Sequence, residues 1–201
     1  MTMKTLLILP AAILFSLCIA AQKTGGIKPT RDGMLQWHSV YNKSTNSSNR
    51  IFIVRHAEKE AGKDPLLTTE GNQRAGDLAR RLKKENIEKI YVSEFKRTQN
   101  TADSVLAWYN IDTVQYIADT SCTDLFERIT QHHDWNRRIL IVSHSNIIPF
   151  IIYKLGITDF PQHNIPDAEF DNLYLITANK KGAVLKKMKY GKRSGKSATM
   201  R

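Results

Sequence analysis

Cysteine is scarce in this 201-residue chain: it occurs only at Cys18 and Cys122. Cys18 lies in an apolar leader, described below, whose removal would leave one thiol and no internal disulfide. The sequence contains no His-Glu-x-x-His, no paired-cysteine spacing and no cluster of carboxylates, so metal catalysis is not expected. Nor is there a glycine-rich phosphate loop, since Lys23-Thr24-Gly25-Gly26 has no strand before it and no helix after it. No cofactor is implied. Acidic residues are missing altogether between Lys180 and Arg201, where lysines and arginines supply nine of the chain's eleven net positive charges. The body is therefore nearly balanced and the tail is basic. Only Tyr190 interleaves with those basic residues, which argues against nucleic acid as a partner. The tail has the charge to contact an anionic membrane surface or a polyanionic glycan, or simply to keep the protein soluble.

At the amino terminus, Lys4 precedes an apolar stretch from Leu6 to Ile19, broken only by Pro10 and Ser16 and followed by Ala20-Ala21-Gln22. This pattern reads as a secretory signal peptide over 1–21, too short for a comfortable membrane span, with cleavage after Ala20 or Ala21. The expected setting is export, periplasmic or secreted. Leu17 stands before Cys18 where a lipidation signal carries a small residue, which argues against a lipid anchor. Residues 22–49 form a polar lead-in, plainest at Ser44–Asn49, with Trp37 and Tyr41 as candidates to dock it. Residues 50–190 are expected to form one domain and 191–201 a basic disordered tail.

The most informative pattern is an apolar strand that ends in charge. Ile51-Phe52-Ile53-Val54 runs into Arg55-His56-Ala57-Glu58, and Ile139-Leu140-Ile141-Val142 into Ser143-His144-Ser145-Asn146. A third run, Ile87–Val92, leads into Ser93-Glu94-Phe95-Lys96-Arg97, with Arg97 at the start of the next helix. The alternation of strands with amphipathic segments, such as Thr68–Glu85 carrying Ala75, Leu78, Ala79 and Leu82 on one face, predicts an α/β fold. The expected form is a single-domain three-layer α/β/α sandwich with a mostly parallel central sheet. Ligands bind beyond the carboxyl ends of such strands. If the three strands are neighbours, Arg55, His56, Arg97 and His144 converge on one crevice. Two guanidinium forks with helix amino-termini nearby suit a tetrahedral oxyanion, so the crevice should bind phosphate. Pro161–Asp171 is expected to be a loop over the pocket, Asn172–Thr177 a strand, and Val184–Met188 its hairpin partner across Asn179–Gly182.

Four blocks in order resemble the histidine phosphatase (phosphoglycerate mutase-like) superfamily, in particular its small phosphatases. They are Arg55-His56-Ala57-Glu58, then Leu67-Thr68-Thr69-Glu70-Gly71 with Ala75, then Ser93–Arg97 with Thr98, Gln99, Thr101 and Ala102, and finally Val142-Ser143-His144. The likeness spans about Arg50 to Thr177. It implies a metal-independent phosphatase acting on phosphomonoesters or phosphoramidates. In that scheme His56 attacks phosphorus to give a phosphohistidine, while Arg55, Arg97 and His144 bind the phosphate and stabilise charge in flight. The general acid is open among Glu127, Asp119 and Asp124. Glu127 also fits a solvated position on an amphipathic helix over 124–133, Asp119 follows the strand Thr113–Ile117, and Asp124 also fits a helix cap. If none serves, substrates with good leaving groups are expected. Glu58 and Lys59 either contact substrate or are solvated, and Asn146 is a candidate donor to the pocket. His132 and His133 read as surface residues, and His38 and His163 take no role. The expected partner is a phosphorylated small molecule, glycan or protein. The alternative is an exported phosphate-binding module that recognises a phosphorylated glycan, lipid or protein with little turnover. A complete histidine and arginine set favours catalysis, because binding phosphate needs no positioned nucleophile.

Overall fold

The computed structural model describes residues 50–179 and 182–194. The leader, the lead-in with Trp37, His38 and Tyr41, the hairpin tip at Lys180 and Lys181, and the tail from Gly195 lie outside the described residues. Strand β1 (Arg50–Arg55) is followed by α1 (Thr69–Leu82), β2 (Lys89–Ser93), α2 (Lys96–Tyr109), β3 (Thr113–Tyr116) and α3 (Thr123–Gln131). A short 3-10 turn (Asp134–Asn136) leads to β4 (Arg138–Ser143) and α4 (Ile148–Lys154), and β5 (Asn172–Asn179) pairs with β6 (Gly182–Lys189) as the expected hairpin. The strands form one six-stranded sheet in the order β3-β2-β4-β1-β5-β6. Strands β1 to β4 are mutually parallel where they pair, and β5 runs antiparallel to β1.

Alternation of side chains along the pleat sorts the apolar strands onto two faces. Ile51, Ile53, Tyr91, Ile139 and Ile141 pack with Leu125, Ile129, Ile148 and Ile152 of α3 and α4. Phe52, Val54, Ile90, Val92, Leu140 and Val142 pack with Leu78, Leu82, Ala102 and Val105 of α1 and α2. The sheet is thus buried between two helical layers, which is why β1 and β4 read as unbroken apolar runs. The expected helix over 68–85 is realised as α1 with Thr68 as its N-cap, its hydroxyl accepting the Gly71 N–H at 3.0 Å. Residues 191–194 still pack on the domain, four beyond the expected boundary at 190, because the Ser194 hydroxyl and the Lys192 carbonyl accept hydrogen bonds from it.

Sheet order is what assembles the site. Strand β4 lies between β1 and β2, with Arg55 level with Ser143 and Val92 level with Val142. His56 and His144 therefore follow adjacent strands by one residue each, and Ser93 ends the strand on the other side.

Candidate active site

The imidazoles of His56 and His144 lie with ring centroids 5.4 Å apart and tilted by 60°. Both are buried, as is Arg55. His56 Nδ1 is 2.8 Å from the Ala57 carbonyl, which can only accept, so Nδ1 carries the hydrogen and Nε2 keeps its lone pair. Desolvation lowers the His56 pKa to about 4, with Arg55, Arg97 and Lys59 adding to the fall against the Ala57 hydrogen bond. Desolvation likewise lowers His144 to about 3, reinforced by His56, Arg97 and Arg55. Both rings are neutral at pH 7, and the positive charge of the crevice comes from the two guanidiniums.

His144 sits in a directed chain. Arg97 Nη2 can only donate, so His144 Nδ1, 3.4 Å away, accepts, and Nε2–H points to the Ser93 hydroxyl at 2.8 Å. Ser93 Oγ lies 2.9 Å from Thr98 Oγ1, which donates in turn to the Phe95 carbonyl at 2.7 Å. One order of donors satisfies every link. Thr101 has a parallel duty: its hydroxyl accepts the Ala57 N–H at 2.9 Å and donates to the Arg97 carbonyl at 2.7 Å, which ties the nucleophile loop to α2. These contacts account for the serine and threonines in the block around Arg97.

Each arginine is held from one side and stacked on a ring. Arg55 Nη1 donates to the carbonyls of Pro166, Asp167 and Glu169, and its guanidinium carbon lies 4.1 Å from the Phe170 ring centre. The expected loop over 161–171 does reach the pocket, and it grips Arg55 with its backbone. Arg97 lies 4.1 Å over Phe95, with Asp64 Oδ1 3.9 Å from Nη1. Desolvation lowers both arginine pKa values from their ordinary range, yet both remain cations. Arg55 Nε and Arg97 Nε are buried donors with no partner among the described residues. Unsatisfied buried donors are costly, and a guanidinium fork is suited to the acceptors of a tetrahedral anion.

Of the three carboxylates raised as general acids, two are engaged elsewhere and one is exposed. Glu127 is exposed on α3. Asp124 accepts from the Ile117 N–H at 2.7 Å and from Arg128 Nε at 2.9 Å. Desolvation opposes its ionisation, but these donors outweigh it and hold its pKa below the usual carboxylate value. Asp119 folds back on its own turn, accepting from Ser121 N and Cys122 N. Glu58 forms a bidentate pair with buried Arg74, whose Nε is 2.8 Å from both carboxylate oxygens. Lys59, Asn146, His132, His133 and His163 are exposed. Sequence reasoning missed Asp64, Phe95, Phe170 and Arg74. Of these only Arg74 left a trace, since it shares the inward stripe of α1 with Ala75 and Leu78. Among the described residues, no group of three or more His, Cys, Asp or Glu side chains is placed to hold a metal ion.

Comparison with known proteins follows the same lines. Residues 51–121 match the model of the histidine phosphatase superfamily (branch 1). No curated protein matches the chain. Among solved structures, the protein histidine phosphatase SixA complexed with tungstate is similar at 20% identity and a TM-score of 0.53, over 70% of this chain and 96% of that one. A putative alpha-ribazole-5'-P phosphatase from Escherichia coli K-12 is similar at 18% identity and a TM-score of 0.55, over 75% of this chain and 99% of the other. Phosphoserine phosphatase of Entamoeba histolytica, in complex with 3-phosphoglyceric acid, is similar at 17% identity and 0.53, over 71% and 96%. The segment 51–121 thus resembles the histidine phosphatase superfamily, and the fold of the chain is similar to those of the small phosphatases above.

Proposed function

We propose that the protein is a metal-independent phosphatase that works through a phosphohistidine on His56 Nε2. The observation that carries this is the tautomer of His56. Its Nδ1–H is given to the Ala57 carbonyl, so the other nitrogen is a free nucleophile, and the ring is neutral because its pKa is lowered to about 4. The Nε2–phosphorus bond forms as the bond to the leaving group breaks; water then attacks phosphorus, releasing phosphate and the free imidazole. Arg55 and Arg97 hold the oxygens of the transferring group, and their two charges balance a phosphate dianion. His144 joins them once the anion's field raises its pKa and restores a proton.

Asp119 and Asp124 are engaged in their own turns and Glu127 is exposed on α3, which favours substrates whose leaving group departs without a proton. Aryl phosphates, acyl phosphates and phosphoramidates are of this class. The leader read from the sequence supports an exported, periplasmic or secreted setting for this activity. The test is hydrolysis of an aryl phosphate by the full chain with a chelator present, beside His56→Ala. Turnover that survives the chelator and disappears in the variant supports the proposal. Phosphate binding without turnover would replace it with the binding module.

A further inference from the structure

The segment Tyr190–Ser194 touches both the loop that carries Phe170 and Asp171 and, on α1, Arg74. The Ser194 hydroxyl accepts the N–H of Phe170 at 2.8 Å and of Asp171 at 3.1 Å. Phe170 is the ring on which Arg55 stacks, and the carbonyls of Pro166, Asp167 and Glu169 immediately before it take Arg55 Nη1. Buried Asp171 is held again by the Tyr190 N–H to its carbonyl at 3.0 Å and by Lys189 Nζ to its carboxylate at 2.9 Å. Two residues earlier, the Lys192 carbonyl accepts from Arg74 Nη1 at 2.9 Å. Arg74 in turn clamps Glu58, two positions after His56. The turn that lets the segment reach both points needs Gly191, whose φ of +63° is left-handed and whose added Cβ would lie 2.8 Å from Asp77 Oδ2.

We propose that Tyr190–Ser194 is a strap that sets the position of Arg55, with Ser194 as its positioning residue; the role presumes that Arg55 grips phosphate as proposed above. A neutral oxygen that takes two successive backbone N–H groups fixes the local peptide planes, and those planes set where the Phe170 ring stands. Without it, the Arg55 fork keeps its charge but loses its fixed aim, and a bidentate grip depends on aim.

The test compares Ser194→Ala and Ser194→Thr in the full chain, reading inorganic phosphate affinity by calorimetry, KM and kcat for an aryl phosphate, and melting temperature. Ser194→Ala should weaken phosphate binding and raise KM about five- to tenfold with kcat within about twofold, the pattern of lost uniform binding. Ser194→Thr, which keeps the hydroxyl, should restore both. Arg50→Ala, at the far end of β1 where Arg50 pairs with Glu85, serves as a purely structural control and should leave phosphate affinity unchanged. Phosphate affinity that is unchanged in Ser194→Ala, or equally reduced in Arg50→Ala, overturns the strap. Wild-type turnover that His56→Ala abolishes, with Ser194→Ala unaffected, overturns the strap alone. Weakened phosphate binding in Ser194→Ala of a wild type that does not turn over overturns the phosphatase and leaves the strap standing.

Discussion

The Ser93 hydroxyl lies 2.8 Å from His144 Nε2 and turns that ring so that Nδ1 faces Arg97. Ser93→Ala removes the acceptor for Nε2–H and frees the ring to flip or change tautomer. A single buried hydrogen bond contributes about 1 kcal/mol, so kcat/KM should fall about fivefold. Ser93→Thr, which retains the hydroxyl, should lose less. Steady-state kinetics on the two variants checks this, and an alanine variant with wild-type kcat/KM would remove Ser93 from the positioning chain.

Burial of the two imidazoles sets the response to acid. With the folded-state pKa of His56 lowered to about 4, the nucleophile stays neutral well below the ordinary histidine range. The acid limb of kcat/KM, corrected for substrate ionisation, should therefore fall near pH 4 and not near 6.5. Stability moves in a definite direction too. Between the unfolded value near 6.5 and the folded values of about 4 and 3, the unfolded chain binds more protons, so stability is complete above pH 6.5 and is lost as pH falls below it. Melting temperature measured from pH 7 to 4 should drop, and His144→Gln should flatten the slope. An acid limb near 6.5 would contradict the neutral buried pair.

Much of this site is legible in the sequence because the fold concentrates charge where strands stop. Arg55, His56 and His144 each follow an apolar run with no room for a solvated residue before it, so their place at a strand end follows from pattern alone. Their convergence does not. It depends on β4 entering the sheet between β1 and β2, a long-range pairing that no local periodicity records. Phe95 and Phe170 were invisible for the same reason: each is a lone aromatic in a polar stretch, and only the folded chain brings it beneath a guanidinium. Arg74 lies on a helix face that reads as apolar, and its partly buried partner Glu58 is sixteen residues away in a segment of no regular structure.

Asp64 caps a helix from another loop. Phe95, the residue at the N-cap of α2, makes no side-chain cap, and Asp64 Oδ1 accepts the Lys96 N–H at 3.0 Å instead. Its ion pair with Arg97 is long, at 3.9 Å, and the carboxylate is one-third exposed. A cap is worth about 1 kcal/mol and such a pair rather less, so capping should dominate. Asp64→Ala should cost about 1 kcal/mol in urea denaturation, whereas Asp64→Asn, which keeps an acceptor oxygen, should cost less than half of that. Equal losses would mean that the charge and not the cap is what counts.

The pair between Arg74 and Glu58 is of the opposite kind, with Arg74 2% and Glu58 17% exposed and a bidentate geometry. Arg74→Met strands a largely buried carboxylate beside the nucleophile loop and should cost about 3–5 kcal/mol. Adding Glu58→Leu removes the stranded charge, so the double variant should be more stable than Arg74→Met alone. Chemical denaturation of the three proteins decides it, and simple additivity of two losses would show that the pair is not coupled.

Gly71 sets a contest between two effects of known sign. It lies in the first turn of α1, where alanine is the better helix former by about 1 kcal/mol. A Cβ there would run into the Glu58 carbonyl and come within 3.1 Å of the Leu67 Cβ, and the first obstacle is backbone that cannot swing aside. That carbonyl also accepts the Thr68 N–H at 3.0 Å, so the helix start and the segment after His56 are fixed to each other at closest approach. Overpacking costs about 1–3 kcal/mol or more, and here it should outweigh the gain in propensity. Gly71→Ala should lower stability by at least about 1 kcal/mol and reduce kcat/KM, because relief of the clash displaces Glu58 and with it the Ala57 carbonyl that holds the His56 tautomer. Urea denaturation and aryl phosphate kinetics on this one variant test both halves, and a more stable, fully active Gly71→Ala would show that α1 can retreat from the segment at Glu58 without cost.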